Sequence, residues 1–378
     1  MEHFTNFSIL SFISILICSY YLLLSIVNVL YFLIRSKKPA LKETPFVTVM
    51  VPARNEEDNI RSCVETLMDQ DYPDYEVLVI DDNSTDRTGE ILEELAQRYD
   101  RLKIYKGTPL PEGWYGKPWA LQQLSEHARG EYYLFTDADT IHSRQSLSFM
   151  ITNMQHHKAD LISALPRQMV QTMGELINVP SLFAMTSIIM PLPAIDLMKW
   201  EQASYCLGQY FCIRGDVYKK IEGFRHVSHL ITEDVAFGKE VKKRGYKTLF
   251  LDGQKYVDCR MYHSYVESFR GIGKNIYSSI GFNLLLFTAT ALMIFMTVNF
   301  PFFAFVQKLV TGGALFPAFI PVALFFSMWC LITVFHKMPW YNAFLYPLQF
   351  TNLLFMATFY TVKFRIGPGV TWKGRVIT

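Results

Sequence analysis

The apolar residues of this chain are concentrated in two blocks near its ends, with a region of ordinary globular composition between them. The first block, residues 7–34, contains no charged residue and is long enough to cross a bilayer. A signal peptide would have a shorter core preceded by positive charge, whereas here Arg35, Lys37 and Lys38 follow the run. Because positive residues stay on the cytoplasmic side, residues 1–38 are predicted to form a membrane helix whose N-terminus lies outside.

The second block, residues 280–362, contains three candidate spans and is followed by a basic tail over 363–378. Three crossings after a cytoplasmic domain would put this tail outside, which conflicts with its positive charge. Either one segment is re-entrant or interfacial, or the first, which Pro301 interrupts, is not a simple span. We predict a multi-pass protein of the cell membrane with a cytoplasmic central domain, and the number of C-terminal spans stays open. The three candidates are residues 284–306, 314–335 and 341–362.

The overall composition excludes some classes of protein. Hydrophobic residues make up 51% of the 378 residues and charged residues 19%, which is apolar for a soluble protein. The net charge of +2 gives no indication of nucleic acid as a partner. The six cysteines form no Cys-x-x-Cys pair, so we expect reduced thiols that mostly serve packing.

Strands alternate with helices between residues 46 and 140, a pattern that predicts a parallel sheet covered by helices on both faces. The helix after the first strand carries apolar residues at three-four spacing. Polar residues cluster after the strand ends, where open α/β sheets bind ligands and especially nucleotides. We expect strands at 46–51, 76–80, 102–105 and 131–136, and, further on, strands at 209–213 and 248–251 with helices over 214–223 and 231–245.

The fourth of these strands ends in Asp137-Ala138-Asp139. In an extended conformation Asp137 and Asp139 point to the same side, because side chains alternate with period two. Two carboxylates on one face suit a hard divalent cation that also holds phosphate oxygens. The alternative is a solvated turn with an acidic cap, and the tripeptide alone does not decide between them.

Residues 173–199 form an apolar segment broken by Pro180, Pro191 and Pro193. The prolines argue against a spanning helix. The segment is interpreted as lying in the membrane interface, with a kinked, buried core helix as the equal alternative.

Five motifs occur in the order in which family 2 glycosyltransferases with the GT-A fold carry them, and the chain resembles this family over roughly residues 46–275. The resemblance implies an α/β fold, a Rossmann-like GT-A nucleotide-diphospho-sugar transferase domain at 45–275 flanked by transmembrane helices. A tryptophan-rich box at 113–120 and the tail at 372–375 resemble a narrower membrane-bound branch, the bacterial carotenoid (diaponeurosporenoate) and hopanoid-associated glycosyltransferases. The motifs are Pro52-Ala53-Arg54-Asn55-Glu56, Asp81-Asp82-Asn83-Ser84-Thr85-Asp86, Gly116-Lys117-x-x-Ala120-Leu121, Asp137-Ala138-Asp139 and Thr232-Glu233-Asp234.

The resemblance implies a donor site for a nucleotide-sugar. Asp82 corresponds to the family's aspartate that accepts a hydrogen bond from the base, usually uracil, and Pro52, Asn55 and Glu56 line the adjacent edge. Asn55 is equally suited to a turn, and Ser84 and Asp86 are expected to serve the start of the next helix. Lys117 is expected to face the diphosphate, although an exposed loop lysine is the alternative.

The metal and the base follow from the same resemblance. Asp139 is the expected ligand of Mg²⁺ or Mn²⁺, the divalent cofactor, with Asp137 contacting the ribose or the metal through water. Asp234 is the expected general base, assisted by Glu233, and a base opposite the leaving group implies inversion. The alternative is that Glu233 and Asp234 only cap the helix that follows.

Arg270 and Lys274 stand where processive family members carry a Gln-x-x-Arg-Trp motif, which is absent here. This departure favours transfer of a single sugar over polymer synthesis. The two cations are candidates for phosphate binding, with contact to the membrane surface as the alternative.

The predicted function is therefore inverting transfer of one sugar from a UDP-glucose-like donor to a membrane lipid, such as a carotenoid acid or hopanoid. A polyprenyl-phosphate or diacylglycerol sugar transferase is an alternative, and so is a non-catalytic membrane protein that binds sugar nucleotides. The expected partners are the nucleotide-sugar, the lipid acceptor and the bilayer, without nucleic acid.

Overall fold

The structure is a computed structural model that describes residues 9–37, 39–188, 190–279, 283–313, 315–366, 370–372 and 375–377. Within it the chain forms two compact units. The helical unit comprises Met1–Leu30, Val170–Pro191 and Tyr262–Thr378, and the α/β unit comprises Tyr31–Met169 and Leu192–Met261. Residues 170–191 and 262–275, which the sequence had assigned to the 45–275 domain, thus group with the helical unit.

The regular elements follow the order expected from the sequence over the α/β unit. The helices are α1 (Ile9–Arg35), α2 (Ile60–Met68), α3 (Thr88–Ala96), α4 (Gly116–His127), α5 (Ser146–His157), α6 (Met173–Ile188), α7 (Pro193–Leu197), α8 (Gly215–Lys220), α9 (Glu233–Lys243), α10 (Tyr265–Ser279), α11 (Leu284–Ile294), α12 (Phe300–Thr311), α13 (Phe316–Phe335) and α14 (Tyr346–Ile366). The strands are β1 (Val47–Ala53), β2 (Tyr75–Asp81), β3 (Leu102–Lys106), β4 (Tyr132–Thr136), β5 (Thr140–His142), β6 (Leu161–Leu165), β7 (Arg167–Gln168), β8 (Tyr210–Arg214), β9 (Thr248–Asp252), β10 (Val257–Cys259), β11 (Val370–Trp372) and β12 (Arg375–Ile377).

The α/β unit is built on a seven-stranded sheet with the order β3-β2-β1-β4-β8-β6-β9. Strands β3, β2, β1 and β4 are parallel, which confirms the predicted parallel sheet over residues 46–140. Strand β8 runs antiparallel to both β4 and β6. A small sheet with the order β5-β10-β7 lies beyond the end of β4.

Helices cover both faces of the large sheet because its central strands are apolar on both sides. Every residue of β2 is buried, and alternate residues of β1 enter two different cores. Val49 packs with α2, α3 and α5, whereas Met50 packs with α4, α8 and α9. This two-sided packing leaves the carboxyl ends of β1, β2 and β4 as an open edge, where the candidate site residues follow.

The helical unit contains the apolar helices. Three helices in the described residues are long and apolar enough to cross a membrane, namely Ile9–Arg35, Leu284–Thr311 and Ala318–Phe335. The third C-terminal candidate, predicted at 341–362, begins instead as a 3-10 helix (Trp340–Leu345) followed by α14, and α14 is not among these helices. A π-helical turn, Phe295–Asn299, joins α11 to α12, so Pro301 falls at the start of a new helix and does not break the span.

The proline-broken segment 173–199 is divided between the two units at Pro191. Helix α6 continues through Pro180 and packs within the helical unit against α10 and α14. The Asn178 amide donates to Ser268 Oγ (2.8 Å), and the Gln349 amide donates to the carbonyl of Leu176 (2.7 Å). The first part of the segment is therefore a packed helix, as in the alternative interpretation, while Leu197 and Met198 at the end of the segment are exposed.

Candidate active site

The two aspartates after β4 lie in a tight turn between β4 and β5. The Thr140 hydroxyl donates to the main-chain carbonyl of Asp137 over 2.7 Å and closes this turn. The extended conformation expected for Asp137-Ala138-Asp139 is therefore wrong. Strand β4 ends at Thr136 because a side-chain hydrogen bond replaces the next ladder bond, and the period-two argument does not apply to the pair.

A cluster of buried polar side chains around His142 stabilises this turn. His142 Nε2 lies 3.0 Å from Thr136 Oγ1 and 3.1 Å from Thr140 Oγ1, and His142 Nδ1 lies 3.1 Å from Ser146 Oγ. Burial lowers the pKa of His142 to about 3, so the imidazole is neutral and uses one nitrogen as donor and the other as acceptor. The turn is thus attached to β4, β5 and the start of α5.

Lys117, at the start of α4, reaches the first of the two aspartates. Its Nζ lies 2.5 Å from Asp137 Oδ1 and 3.7 Å from Glu233 Oε1. Burial alone would lower the pKa of Lys117, but the carboxylates of Asp137, Glu233 and Asp234 outweigh it and raise the pKa. Lys117 is therefore a charged group inside an acidic cluster and not the exposed loop lysine of the alternative interpretation.

Glu233 and Asp234 form the first turn of α9, where the helix dipole favours negative charge. Asp234 Oδ1 accepts from the Val235 amide (2.8 Å), and Asp234 Oδ2 accepts from the Gly208 amide (2.7 Å). Burial raises the pKa of Asp234 and raises that of Glu233 to about 7, while Lys117 opposes both shifts. A carboxylate with a raised pKa that is held through both oxygens accepts a proton more readily than an ordinary aspartate.

Gly208, in the loop before β8, is a residue that sequence reasoning missed. A Cβ at this position would lie 2.7 Å from Lys117 Nζ and 3.3 Å from Asp234 Oδ2. A side chain at this position would displace the Lys117 ammonium and lie tightly against Asp234, so glycine allows the loop to approach both groups closely. Nothing in the sequence signals this, because Gly208 is remote along the chain from Lys117 and is separated from Asp234 by β8, α8 and a 3-10 helix.

The ends of β1 and β2 form the edge predicted to bind the nucleotide. The Asp82 amide donates to the Ala53 carbonyl (2.8 Å), and Asp82 itself is 5% exposed. Burial would raise the pKa of Asp81, but hydrogen bonds from Lys106 and Ser84 outweigh it and lower the pKa, so this aspartate is a structural anion. Arg54, for which the sequence predicted no role, donates to the Asp82 main-chain carbonyl (2.5 Å).

Asn55 has the turn conformation that the alternative interpretation required. Its φ is 52°, in the left-handed region, and its Oδ1 accepts from the Thr85 amide over 2.8 Å. The Glu56 amide donates to Thr88 Oγ1 (2.8 Å), and Pro52 lies in β1 opposite Ile80. These residues join the loops after β1 and β2, and their contact with a nucleotide stays a prediction.

Two predicted cations lie in the other unit. Arg270 and Lys274 belong to α10, within the helical unit. Arg270 is exposed and Lys274 is half-buried. Their phosphate-binding role stays a prediction.

The tryptophan-rich box connects the loop before α4 to the loop before α9. The rings of Trp114 and Trp119 meet edge to face with centroids 5.2 Å apart. The Tyr115 amide donates to the Ser228 carbonyl (2.7 Å), and Ser228 Oγ donates to the Gly113 carbonyl (3.2 Å). This contact fixes the start of α4, and with it Lys117, relative to the segment that leads to Glu233. In the second part of this pattern, Lys373 and Gly374 lie outside the described residues.

The residues present fit a divalent cation through the chemistry of their donors. In the described part of the chain no group of three or more His, Cys, Asp or Glu side chains has metal-binding geometry. Asp137 and Asp139 nevertheless offer carboxylate oxygens beside the open edge, and Mg²⁺ in such sites takes one or two carboxylates together with waters and substrate phosphates. Burial and the neighbouring Asp139 raise the pKa of Cys259, whose thiol donates to Asp139 Oδ1 (3.6 Å) and orients that carboxylate.

A mixed α/β sheet with acidic turns after β2 and β4, and with an acidic cluster at the second of these turns, is typical of nucleotide-binding α/β domains. Comparison with protein families agrees: residues 48–222 match glycosyl transferase family 2. The match covers a little under half of the chain and agrees with the resemblance that the motifs indicate. The match ends before Glu233 and Asp234, so the assignment of the base depends on the geometry.

Two relatives and one solved structure illustrate the similarity. The chain is 38% identical over 120 residues to the beta-monoglucosyldiacylglycerol synthase of Nostoc sp., which covers 31% of this chain and 25% of that protein. It is 26% identical over 238 residues to the 4,4'-diaponeurosporenoate glycosyltransferase of Staphylococcus haemolyticus, covering 62% of this chain and 61% of that protein. The matched part thus spans only a quarter of the length of the first relative.

The solved structure is a mannosyltransferase from Pyrobaculum calidifontis in complex with GDP-Man and Mn²⁺. It superposes with a TM-score of 0.56 at 18% identity and covers 94% of this chain and all of that one. At this identity the similarity shows the fold alone, which is the predicted GT-A type.

Proposed function

We propose that the protein transfers a single sugar from a nucleotide-sugar to a membrane lipid, with inversion at the anomeric carbon. The observation that carries this proposal is the half-buried Asp234 carboxylate, held by the Gly208 amide (2.7 Å) in the acidic cluster that Lys117 shares with Asp137 and Glu233. A protein that only binds sugar nucleotides has no need of a fixed base with a raised pKa.

On the donor side, Asp82 would accept a hydrogen bond from the base, with UDP as the proposed carrier. Asp137 and Asp139 would hold Mg²⁺ or Mn²⁺, which when bound neutralises charge on the diphosphate leaving group. Lys117 lies 2.5 Å from Asp137 Oδ1 and is placed to exchange this contact for a diphosphate oxygen.

On the acceptor side, the carboxyl group of a carotenoid acid is ionised near neutral pH and would attack without losing a proton. From an acceptor hydroxyl, Asp234 would take the proton as the oxygen attacks the anomeric carbon. A carboxylate suffices because that proton becomes acidic only as the new bond forms. Attack from the side opposite the leaving group inverts the configuration, so an α-linked donor would give a β-linked product. Glu233 would assist Asp234 as a second carboxylate able to accept a proton.

The lipid acceptor is supported by three apolar helices and by two relatives whose names describe transfer to diacylglycerol and to a carotenoid acid. The tryptophan-rich box favours a carotenoid acid or hopanoid, and diacylglycerol is the alternative that the first relative supports. We place the α/β unit on the cytoplasmic side of the cell membrane, where nucleotide-sugars are made.

The test is release of nucleoside diphosphate by detergent-purified protein supplied with UDP-glucose and total lipid, with Mn²⁺ or with chelator. We expect release that requires metal and lipid and that falls about 10²- to 10⁴-fold in Asp234→Asn. Glu240→Gln is the matched control, because Glu240 lies on the same helix and pairs with Arg244 (2.7 Å). Full release by Asp234→Asn would exclude this residue as the base.

Mass spectrometry of the lipids would then identify the acceptor. Purified diacylglycerol, carotenoid acid, hopanoid and polyprenyl phosphate are offered singly. Glycosylation of polyprenyl phosphate alone would contradict the proposal of a non-phosphorylated lipid acceptor.

A further inference from the structure

The α/β unit exposes a short apolar run directly after α7. Leu197, Met198 and Trp200 are 81%, 51% and 64% exposed, and Lys199 between them is exposed as well. Three large apolar side chains within four consecutive residues form a contiguous patch, unlike the scattered exposed apolar residues normal on protein surfaces. Such a patch next to a lysine has the composition of a membrane-interface segment.

The patch is fixed to the end of the first candidate span. Asp196, the residue before the patch, accepts from the Tyr31 hydroxyl (2.8 Å) and forms an ion pair with Arg35. Tyr31 and Arg35 belong to the last turns of α1, the apolar helix Ile9–Arg35. The carboxylate is nearly buried, with 8% of its side chain exposed, so this contact is a defined anchor and not a loose surface pair.

A second anchor holds both ends of the segment. The Lys242 ammonium donates to the carbonyls of Ile195 (2.5 Å) and Ala203 (2.6 Å), which lie on either side of the patch. The intervening residues are therefore held as an outward loop by charge-assisted hydrogen bonds at its two ends. A loop fixed in this way presents its apolar side chains without local collapse.

We propose that Leu197, Met198 and Trp200 insert into the lipid bilayer at the level where α1 leaves it. Arg35 marks the polar end of the span, and Asp196, which is bound to Arg35, is adjacent to Leu197 in the chain. Tryptophan is favoured at this depth, and Lys37 and Lys199 supply positive charge for anionic headgroups. The occupant of the patch is thus the phospholipid surface and not another protein.

The loop also leads to the base, which gives the patch a role in the proposed transfer. Five residues after Ala203 the same segment reaches Gly208, whose amide donates to Asp234, and the Leu207 amide is held by Ser163 Oγ (2.9 Å). The patch therefore forms one end of a short segment, at the membrane, and Gly208 at the other end orients the Asp234 carboxylate. A lipid acceptor would enter the site along this segment. This second step rests on the proposed function, whereas the membrane contact does not.

Spin labelling of the full chain in liposomes tests the membrane contact without any assay of activity. Cysteines are placed at Leu197, Met198 and Trp200 in a Cys330→Ser background, since the other five cysteines are buried. Labels at the exposed Lys220 and Glu90 of the same unit serve as controls. We expect the three patch labels to collide readily with oxygen and rarely with a water-soluble nickel chelate, and the controls to show the reverse. Ready collision of the patch labels with nickel, or protection from both reagents as in a protein contact, would overturn the proposal.

Kinetics test the role of the patch in acceptor entry. Trp200→Glu is expected to raise KM for the lipid acceptor about tenfold, because a charge replaces an apolar anchor, while KM for the nucleotide-sugar stays unchanged. Trp200→Phe should retain the wild-type KM. An unchanged lipid KM in Trp200→Glu would remove the acceptor role. If the wild-type protein transfers no sugar, the proposed function fails, and the spin-label result still decides the membrane contact.

Discussion

Asp137, Glu233 and Asp234 come together around Lys117, whose positive charge opposes the effect of burial on the pKa values of Glu233 and Asp234. Asp137 lies in the turn after β4, Glu233 and Asp234 lie at the start of α9, and Lys117 belongs to α4. Burial favours the neutral form of Glu233 and Asp234, whereas Lys117 favours the charged form. A base in such an environment depends on its counter-ion as much as on its own identity.

Replacing Lys117 should therefore change the pH dependence of transfer. Without the ammonium, the pKa values of Glu233 and Asp234 rise further, so the base is ionised only at higher pH. In Lys117→Met we expect the acidic limb of kcat/KM to move upward by about one pH unit or more, the usual effect of an opposite charge at this distance. The measurement is a pH profile between pH 5 and 9, with Lys220→Met as the control. A weaker nucleotide-sugar KM with an unmoved acidic limb would mean that Lys117 serves the diphosphate alone.

Gly208→Ala tests the close approach of the loop to this cluster. The added methyl group would lie 2.7 Å from Lys117 Nζ, so the flexible lysine must move away from Asp137. We expect kcat to fall about 10- to 100-fold with the fold intact, since misplacement by about 1 Å has this effect on catalysis. Because both changes act through Lys117, the double variant Gly208→Ala/Lys117→Met should lose less than the sum of the single losses. Additive losses in that cycle would contradict the shared mechanism.

The candidate site residues fall into two groups, those that the sequence reveals and those that only the folded chain reveals. Asp82, Asp139 and Asp234 belong to short motifs in a fixed order, so the sequence predicts them through resemblance to a family. Gly208 and Cys259 contact these residues only in the folded chain, and no local pattern marks them. Periodicity and motif order report neighbours along the chain, whereas the contacts of a site depend on tertiary packing.

At the scale of single elements, the turn between β4 and β5 depends on a histidine kept neutral by burial. In the unfolded chain the imidazole of His142 takes up a proton below about pH 6.5, but the folded protein does so only near pH 3. Stability is therefore independent of this group above pH 6.5 and is lost as the pH falls toward 3, at up to ~1.4 kcal/mol per unit.

A thermal melt of the detergent-purified protein between pH 7.5 and 5 checks this expectation. His142→Gln keeps a donor and an acceptor without a titrating ring, so its melting temperature should fall less on acidification than that of the wild type. The exposed His156→Gln is the matched control. Identical pH dependence in His142→Gln and wild type would show that His142 does not govern the turn.

Local patterns predicted the regular elements well where hydrophobic periodicity was strong. The strand starting at Val47 and helix α2, with its apolar residues at three-four spacing, appear where expected. Strand β8 was found, but its antiparallel insertion between β4 and β6 was not, because strand order is set by long-range pairing. Helix α6 likewise continues through Pro180, since packing against α10 and α14 outweighs the local cost of proline.

At the scale of the whole molecule, the candidate spans bear on the topology that the sequence left open. The basic tail conflicted with three C-terminal crossings, and among the described residues only Leu284–Thr311 and Ala318–Phe335 in that region are long and apolar enough to span. Helix α14 carries Gln349 and Asn352, which hydrogen-bond to other helices of its unit, and Lys363 and Arg365 in its last turn. Two crossings in this region would return the tail to the side on which we propose that the α/β unit lies, in agreement with the positive charge of the tail.

Reporter fusions test this topology. A fluorescent protein fused after Thr378 should fluoresce, because it folds in the cytoplasm, and alkaline phosphatase inserted at Gly313, between α12 and α13, should be active outside. The converse fusions, phosphatase after Thr378 and fluorescent protein at Gly313, should both be inactive, and they control for expression. Phosphatase activity at the C-terminus would mean that α14 crosses the membrane, which would place Lys363 and Arg365 outside against the distribution of positive charge in the rest of the chain.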